Sequence, residues 1–133
     1  MLITLPFKTP TINHLYGQHG FRKFLKPEAR KLREEIERII KGIKSKGEYL
    51  KPTQPLEVHI KVYEDWYTKK GVIKRKDIAN REKFLIDSVT LALGIDDKLI
   101  FKHTMEKIQS KTEKCTLEFK AYITSKKGVT IKE

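Results

Sequence analysis

From Leu56 to Val62 the chain alternates apolar and polar residues without a break, with Leu56, Val58, Ile60 and Val62 set against Glu57, His59 and Lys61. Side chains of a strand point to opposite faces in turn, so this segment predicts a half-buried strand whose apolar face needs a second layer over it. Two helices can supply that layer. Over residues 27–45, Ala29, Leu32, Ile36, Ile39, Ile40 and Ile43 form one apolar stripe at helical spacing; Pro27 suits the first turn, and Gly47 and Pro52 mark the exit. A second helix is predicted over 79–93, stopped by Gly94. Residues 2–6 read as a short strand ended by Pro6 and followed by a loop containing Pro10, Asn13 and Gly17. Two more alternating segments, Leu99/Phe101/His103/Met105 and Cys115/Leu117/Phe119/Ala121/Ile123, flank a polar stretch, 109–114, that suits a hairpin turn. The order β, α, β, α, β, β predicts a single α+β domain, a mixed β-sheet with two main helices packed on one face. Its expected limits are residues 1–123, with a basic C-terminal tail at 124–133.

At 133 residues the chain is long enough for one real core and too short for two. Apolar runs of three or four residues, such as Phe84-Leu85-Ile86, cannot span a bilayer, so no membrane association is expected. The opening Met1-Leu2-Ile3-Thr4-Leu5-Pro6 lacks the basic region and long apolar stretch of a signal peptide. Cys115 is the lone cysteine, on a strand face shared with Leu117 and Phe119; it reads as a small buried residue, and the expected setting is the cytoplasm. Charge is more telling. Lys and Arg number 29 against 17 Asp and Glu, a net +12, of which the tail carries only +2. A surface rich in both signs would suit heat tolerance, but the imbalance points to a polyanionic partner. Charge alone does not separate DNA from RNA.

The chemistry concentrates in Lys76-Asp77-Ile78-Ala79-Asn80-Arg81-Glu82-Lys83-Phe84-Leu85-Ile86-Asp87-Ser88 and the following Leu93-Gly94-Ile95-Asp96-Asp97-Lys98. On a helix, Asn80, Lys83 and Asp87 fall on one polar stripe, while Leu85, Val89 and Ala92 face the other way. Asp77 precedes this helix and Asp96-Asp97 follow it. If the next strand returns beside the helix, Asp77 and Asp97 can meet, and carboxylates from separate segments suit Mg²⁺. Each part also has a plainer role. Asp77 suits a helix cap, Asp96-Asp97 a turn, and Lys83 with Asp87 a surface ion pair.

The arrangement Asp-x-x-Asn-x-x-Lys-x-x-x-Asp, a helix stop and an Asp-Asp pair resembles the active-site segment of the RusA family of Holliday-junction resolvases. Leu5-Pro6, Asn13, Tyr16, Arg22 and the helix after them resemble that family's opening segment. The resemblance covers about residues 2–108. It implies metal binding by Asp77 and Asp97, a catalytic Lys83, and a further metal-binding carboxylate at a position where this chain has Ala79. Glu82, one helical turn on and one methylene longer, can reach back toward the same place; it equally suits the helix dipole.

The expected activity is therefore a Mg²⁺-dependent endodeoxyribonuclease, with Mn²⁺ able to substitute, that cuts four-way junction DNA as a homodimer by paired symmetric nicks. Asp96 is a further candidate ligand, and Asn80 and Asp87 are candidates to orient the ligands. DNA contacts are expected from Lys69, Lys70, Lys74, Arg75 and Lys76, after Trp66 and Tyr67, and from Asn13, Tyr16, Arg22 and Lys23; both stretches also read as surface loops. His103, alternating with apolar residues, reads as structural. Two alternatives stand beside this reading: a junction-binding relative without cleavage, motivated by Ala79, and a basic RNA-binding α+β protein, motivated by charge.

Overall fold

The computed structural model describes residues 1–10, 16–50 and 53–123, with backbone only for Tyr16, Gln18, His19, Arg22 and Lys23. Its strands are β1 (Leu2–Leu5), β2 (Tyr16–His19), β3 (Arg22–Leu25), β4 (Leu56–Glu64), β5 (Ile100–Gln109) and β6 (Lys114–Ala121), and its helices are α1 (Pro27–Ser45) and α2 (Ala79–Leu93). The predicted helices match these bounds. β4 follows its alternation, with Leu56, Val58, Ile60 and Val62 buried on one face, and then runs on to Glu64.

The main sheet has the order β1-β6-β4-β5, with β4 parallel to β5 and every other pairing antiparallel. It is the mixed sheet expected. Ile3 and Leu5 of β1, the inward face of β4, and Cys115, Leu117 and Phe119 of β6 form one cluster with Ile36 and Ile40 of α1 and Phe84, Leu85 and Val89 of α2. Polar groups lock the two helices together as well: Arg33 Nε donates to Ser88 Oγ at 3.1 Å, and Lys44 Nζ donates to the Ala92 carbonyl at 2.9 Å. The second contact puts a cation on the negative end of α2, where the chain leaves through left-handed Gly94.

Three expectations need correction. Residues 109–114 do not close a hairpin, because β4 lies between β5 and β6; the link crosses the end of β4, where Ser110 N donates to the Glu64 carbonyl. A polar turn sequence shows that the chain reverses but not which strand it lands beside. Phe101 and His103 are exposed on β5, the edge strand of the sheet, rather than packed on an apolar face. The segment after β1 contains a β2–β3 hairpin where only a loop was expected. Gly20, at φ 62, allows its tight turn, and Gly17 leaves room for the Phe24 ring, into which a Cβ would run at 2.3 Å. Among the described residues, no helix is long and apolar enough to cross a membrane.

Candidate active site

The site begins where β4 breaks its own rule. Glu64 occupies the core-facing parity of Leu56 through Val62, yet it is a carboxylate and only 2% exposed. Such a group is tolerated only with charged partners. Arg81, on the inward side of α2 and 1% exposed, forms a two-pronged ion pair with it, and Lys76 Nζ lies 3.1 Å from Oε2. Burial pushes the Glu64 carboxyl up, but the hydrogen bonds from Arg81 and Lys76 outweigh it and hold the group below the ordinary carboxylate range. The Arg81 guanidinium also lies 5.2 Å from the centre of the Trp66 ring, and the Lys107 ammonium 4.9 Å from it.

Trp66 is the root of the basic loop and is buried, not a DNA-facing aromatic. Its Nε1 donates to the carbonyls of Val62 and Ile108, and its backbone N donates to Gln109 Oε1. Beyond it the chain turns back on itself: Tyr67 bridges Ile73, Lys74 N donates to the Trp66 carbonyl, and Gly71 at φ 78 makes the bend. This presents Lys69, Lys70 and Arg75 to solvent, with Lys74 half-buried. Lys76 differs, since its ammonium is taken up by Glu64. Of the other expected DNA contacts, Asn13 and the side chains of Tyr16, Arg22 and Lys23 lie outside what is described.

Asp77 is exposed and caps α2, its Oδ1 accepting from Ala79 N at 2.9 Å. Asn80 and Lys83 are exposed and Asp87 half-buried, so the polar stripe faces outward; no ion pair joins Lys83 to Asp87. Glu82 points to β5, with Oε1 3.7 Å from His103 Nε2 across a partly exposed surface. His103 thus meets α2 at the surface. Asp96 Oδ1 accepts from Lys98 N and so caps the 3-10 turn Asp97–Leu99, whereas the exposed Asp97 carboxylate has no partner among the described residues. Cys115 is buried, and burial pushes its thiol up to about 12, which fits the inert residue expected.

The structure corrects the expectation that Asp77 and Asp97 meet within one chain. The next strand does return beside the sheet, but α2, which rises roughly 21 Å from Ala79 to Leu93 at about 1.5 Å per residue, lies between the two carboxylates. Ile95 N is still bonded to the Thr90 carbonyl at the helix end. From there to Asp97 the chain can recover at most roughly 7 Å. Strand register agrees: Lys76 grips Glu64 at the end of β4, while Ile100, just after Asp97, pairs with Leu56 at its start. Among the described residues no three His, Cys, Asp or Glu converge to hold a metal ion.

Glu64, Arg81 and Trp66 did not emerge as a group from sequence reading. Two signals were present: a Glu at the buried parity of β4, and an Arg four residues before Leu85 on the inward side of α2.

A search of the curated proteins gives no match. Residues 6–120 match the sequence profile of the family described as Endodeoxyribonuclease RusA, which decides for DNA over RNA. The chain thus belongs to the RusA family of endodeoxyribonucleases, metal-dependent enzymes that resolve Holliday junctions.

Proposed function

We propose that this protein cuts four-way junctions as a homodimer whose two active sites are each built from both protomers, with Asp77 of one and the partner's Asp97 holding Mg²⁺. The separation of these carboxylates along α2 carries the reading. A single small cation takes oxygens at about 2.1 Å, so two ligands at opposite ends of a helix can share it only across an interface. The residues suit the ion: each Asp is exposed, Asp97 has no partner among the described residues, and Asp77 gives Oδ1 to the helix cap. Mn²⁺, also at home among oxygen ligands, should substitute.

When bound, the ion supplies an activated water and counter-charge for the scissile phosphate. Lys83, one turn into α2 on the same outward stripe as Asn80, brings an ammonium unpaired among the described residues to the developing negative charge. Asn80 and Asp87 orient the ligands, and Asp96 shapes the turn that presents Asp97. Glu82, only loosely held by His103, fills the role of the carboxylate absent at Ala79. Lys69, Lys70, Lys74 and Arg75 track the junction arms. A two-fold dimer gives opposed strands equivalent treatment, and the expected products carry 5′-phosphate and 3′-hydroxyl ends.

Mixed dimers test the arrangement. Asp77→Asn and Asp97→Asn homodimers should each bind a synthetic junction without cutting it. In the mixed dimer, a shared-site arrangement leaves one site with both substitutions and the other intact, so a single nick in one strand reappears. A dead mixed dimer would refute shared sites, and cutting by either homodimer near the wild-type rate would refute that ligand's assignment.

A further inference from the structure

Lys76 and Arg81 lie on either side of Asp77, one residue before it and four after, and both end on the same buried carboxylate. We infer that Glu64 is a positioning residue for cleavage, a clamp that grips Lys76 and Arg81 and so fixes the Asp77 carboxylate between them. The inference rests on the reading of Asp77 as a metal ligand. Three observations support it beyond a stabilising role.

First, the clamp is poorly designed for stability alone. Arg81 Nε is buried with no partner among the described residues, and a well-packed apolar pair of similar volume would avoid that cost. Second, the clamp stands on a rigid base. Trp66, tied by Nε1 to two carbonyls at the sheet end, forms the floor on which the Arg81 guanidinium lies. Third, apart from the clamp, the segment from Arg75 to Ile78 is held on its helix side, where Ile78 packs against the core and its carbonyl accepts from Arg81 N. On the other side Lys76 N donates to the Lys74 carbonyl two residues back, and Asp77 itself is exposed. Without the grip on Lys76, the Asp77 cap would hold α2 but not fix the direction in which Oδ2 points.

Lys76→Met is the cleanest probe, because it opens the front of the clamp and leaves the buried Glu64–Arg81 pair intact. Outer partners of metal ligands are worth about 10–100-fold in metal affinity. The half-saturating Mg²⁺ concentration for junction cleavage should therefore rise about tenfold in Lys76→Met and further in Glu64→Gln. Hydrogen exchange at the amides of residues 77–80 should quicken while the rest of the domain exchanges as before. Junction affinity and its salt dependence should stay near wild type in Lys76→Met; if Lys76 instead contacts phosphate, both fall and the metal requirement stays put. An unchanged Mg²⁺ requirement in Lys76→Met overturns the inference, whatever the exchange rates show and whether or not Glu64→Gln folds. Asp77→Asn separates the two levels: if it cuts normally, the ligand assignment has failed; if it is dead while Lys76→Met keeps its metal response, only the clamp has.

Discussion

Replacing Arg81 by Met should destabilise the domain, and the cost should vanish when Glu64 is replaced as well. Arg81→Met leaves a carboxylate that is 2% exposed with Lys76 as its remaining charged partner among the described residues. Breaking a buried pair from one side costs about 3–5 kcal/mol; the surviving Lys76 contact puts the expected loss near the low end, about 3 kcal/mol. With an unfolding entropy of about 2.1 cal/mol/K per residue, that corresponds to a melting point lower by roughly 10 °C. The double variant Glu64→Leu/Arg81→Met removes both charges from the interior and lets Lys76, already 30% exposed, turn to solvent. Its stability should return to within about 1 kcal/mol of wild type, since apolar replacement of a buried pair is commonly neutral or better. Thermal and urea unfolding by circular dichroism would measure both. A loss below about 1 kcal/mol in the single variant, or a double variant no more stable than the single, would refute the view of Glu64 as a charge that depends on Arg81. The stable double variant also separates stability from positioning, because it should still show the raised Mg²⁺ requirement.

Changing Lys69, Lys70, Lys74 and Arg75 to Gln should weaken junction binding and lower the slope of log K against log salt by about 0.9 for each phosphate no longer neutralised; deleting 124–133 should change neither much, and an unaltered slope in the loop variant removes that loop from the interface. Because Glu64 is held below its usual carboxyl value of 4.5, its contribution to stability is complete above that pH and is lost as the pH falls through the lower folded value. The stability gap between wild type and Glu64→Gln should accordingly narrow below pH 4.5, and a constant gap in acid unfolding curves would contradict this. Glu82→Gln should cut cleavage sharply, with partial recovery on adding Ala79→Asp; full cleavage with only about 0.3–1 kcal/mol lost would leave Glu82 as a helix-dipole partner.

The sequence was most legible where periodicity was longest. The apolar stripe of α1, the seven-residue alternation opening β4 and the Gly94 stop on α2 each repeat one physical signal several times, and the structure follows them. Legibility failed where a short signal had to fix a long-range choice. The polar residues after β5 announce a reversal but do not encode that β6 lands on the far side of β4. The four-residue strands β2 and β3 are too short for alternation to stand out, and their pairing depends on Gly17 making room for Phe24. At the site, residue types and spacing singled out Asp77 and Asp97 but not the distance between them. A linear motif drawn across a helix looks compact on the page, while the helix itself holds its ends apart.

That distance has a consequence for control of the chemistry. If each metal site needs Asp77 from one protomer and the partner's Asp97, a single folded chain carries two half-sites and no whole one. Its net charge of +12 would still draw it to any DNA, since phosphate attraction is indifferent to branching. Dilution should therefore separate the two properties: below the dimer dissociation constant, cleavage should fall with the square of protein concentration while nonspecific DNA binding falls only linearly. Shared sites thus tie cutting to assembly of the two-fold dimer, the species whose symmetry matches paired strands of a junction. A protomer with a complete site would lack that link and could nick duplex wherever its charge brought it. Cleavage that stays linear in protein concentration well below the measured dimer constant would argue for complete sites in each chain.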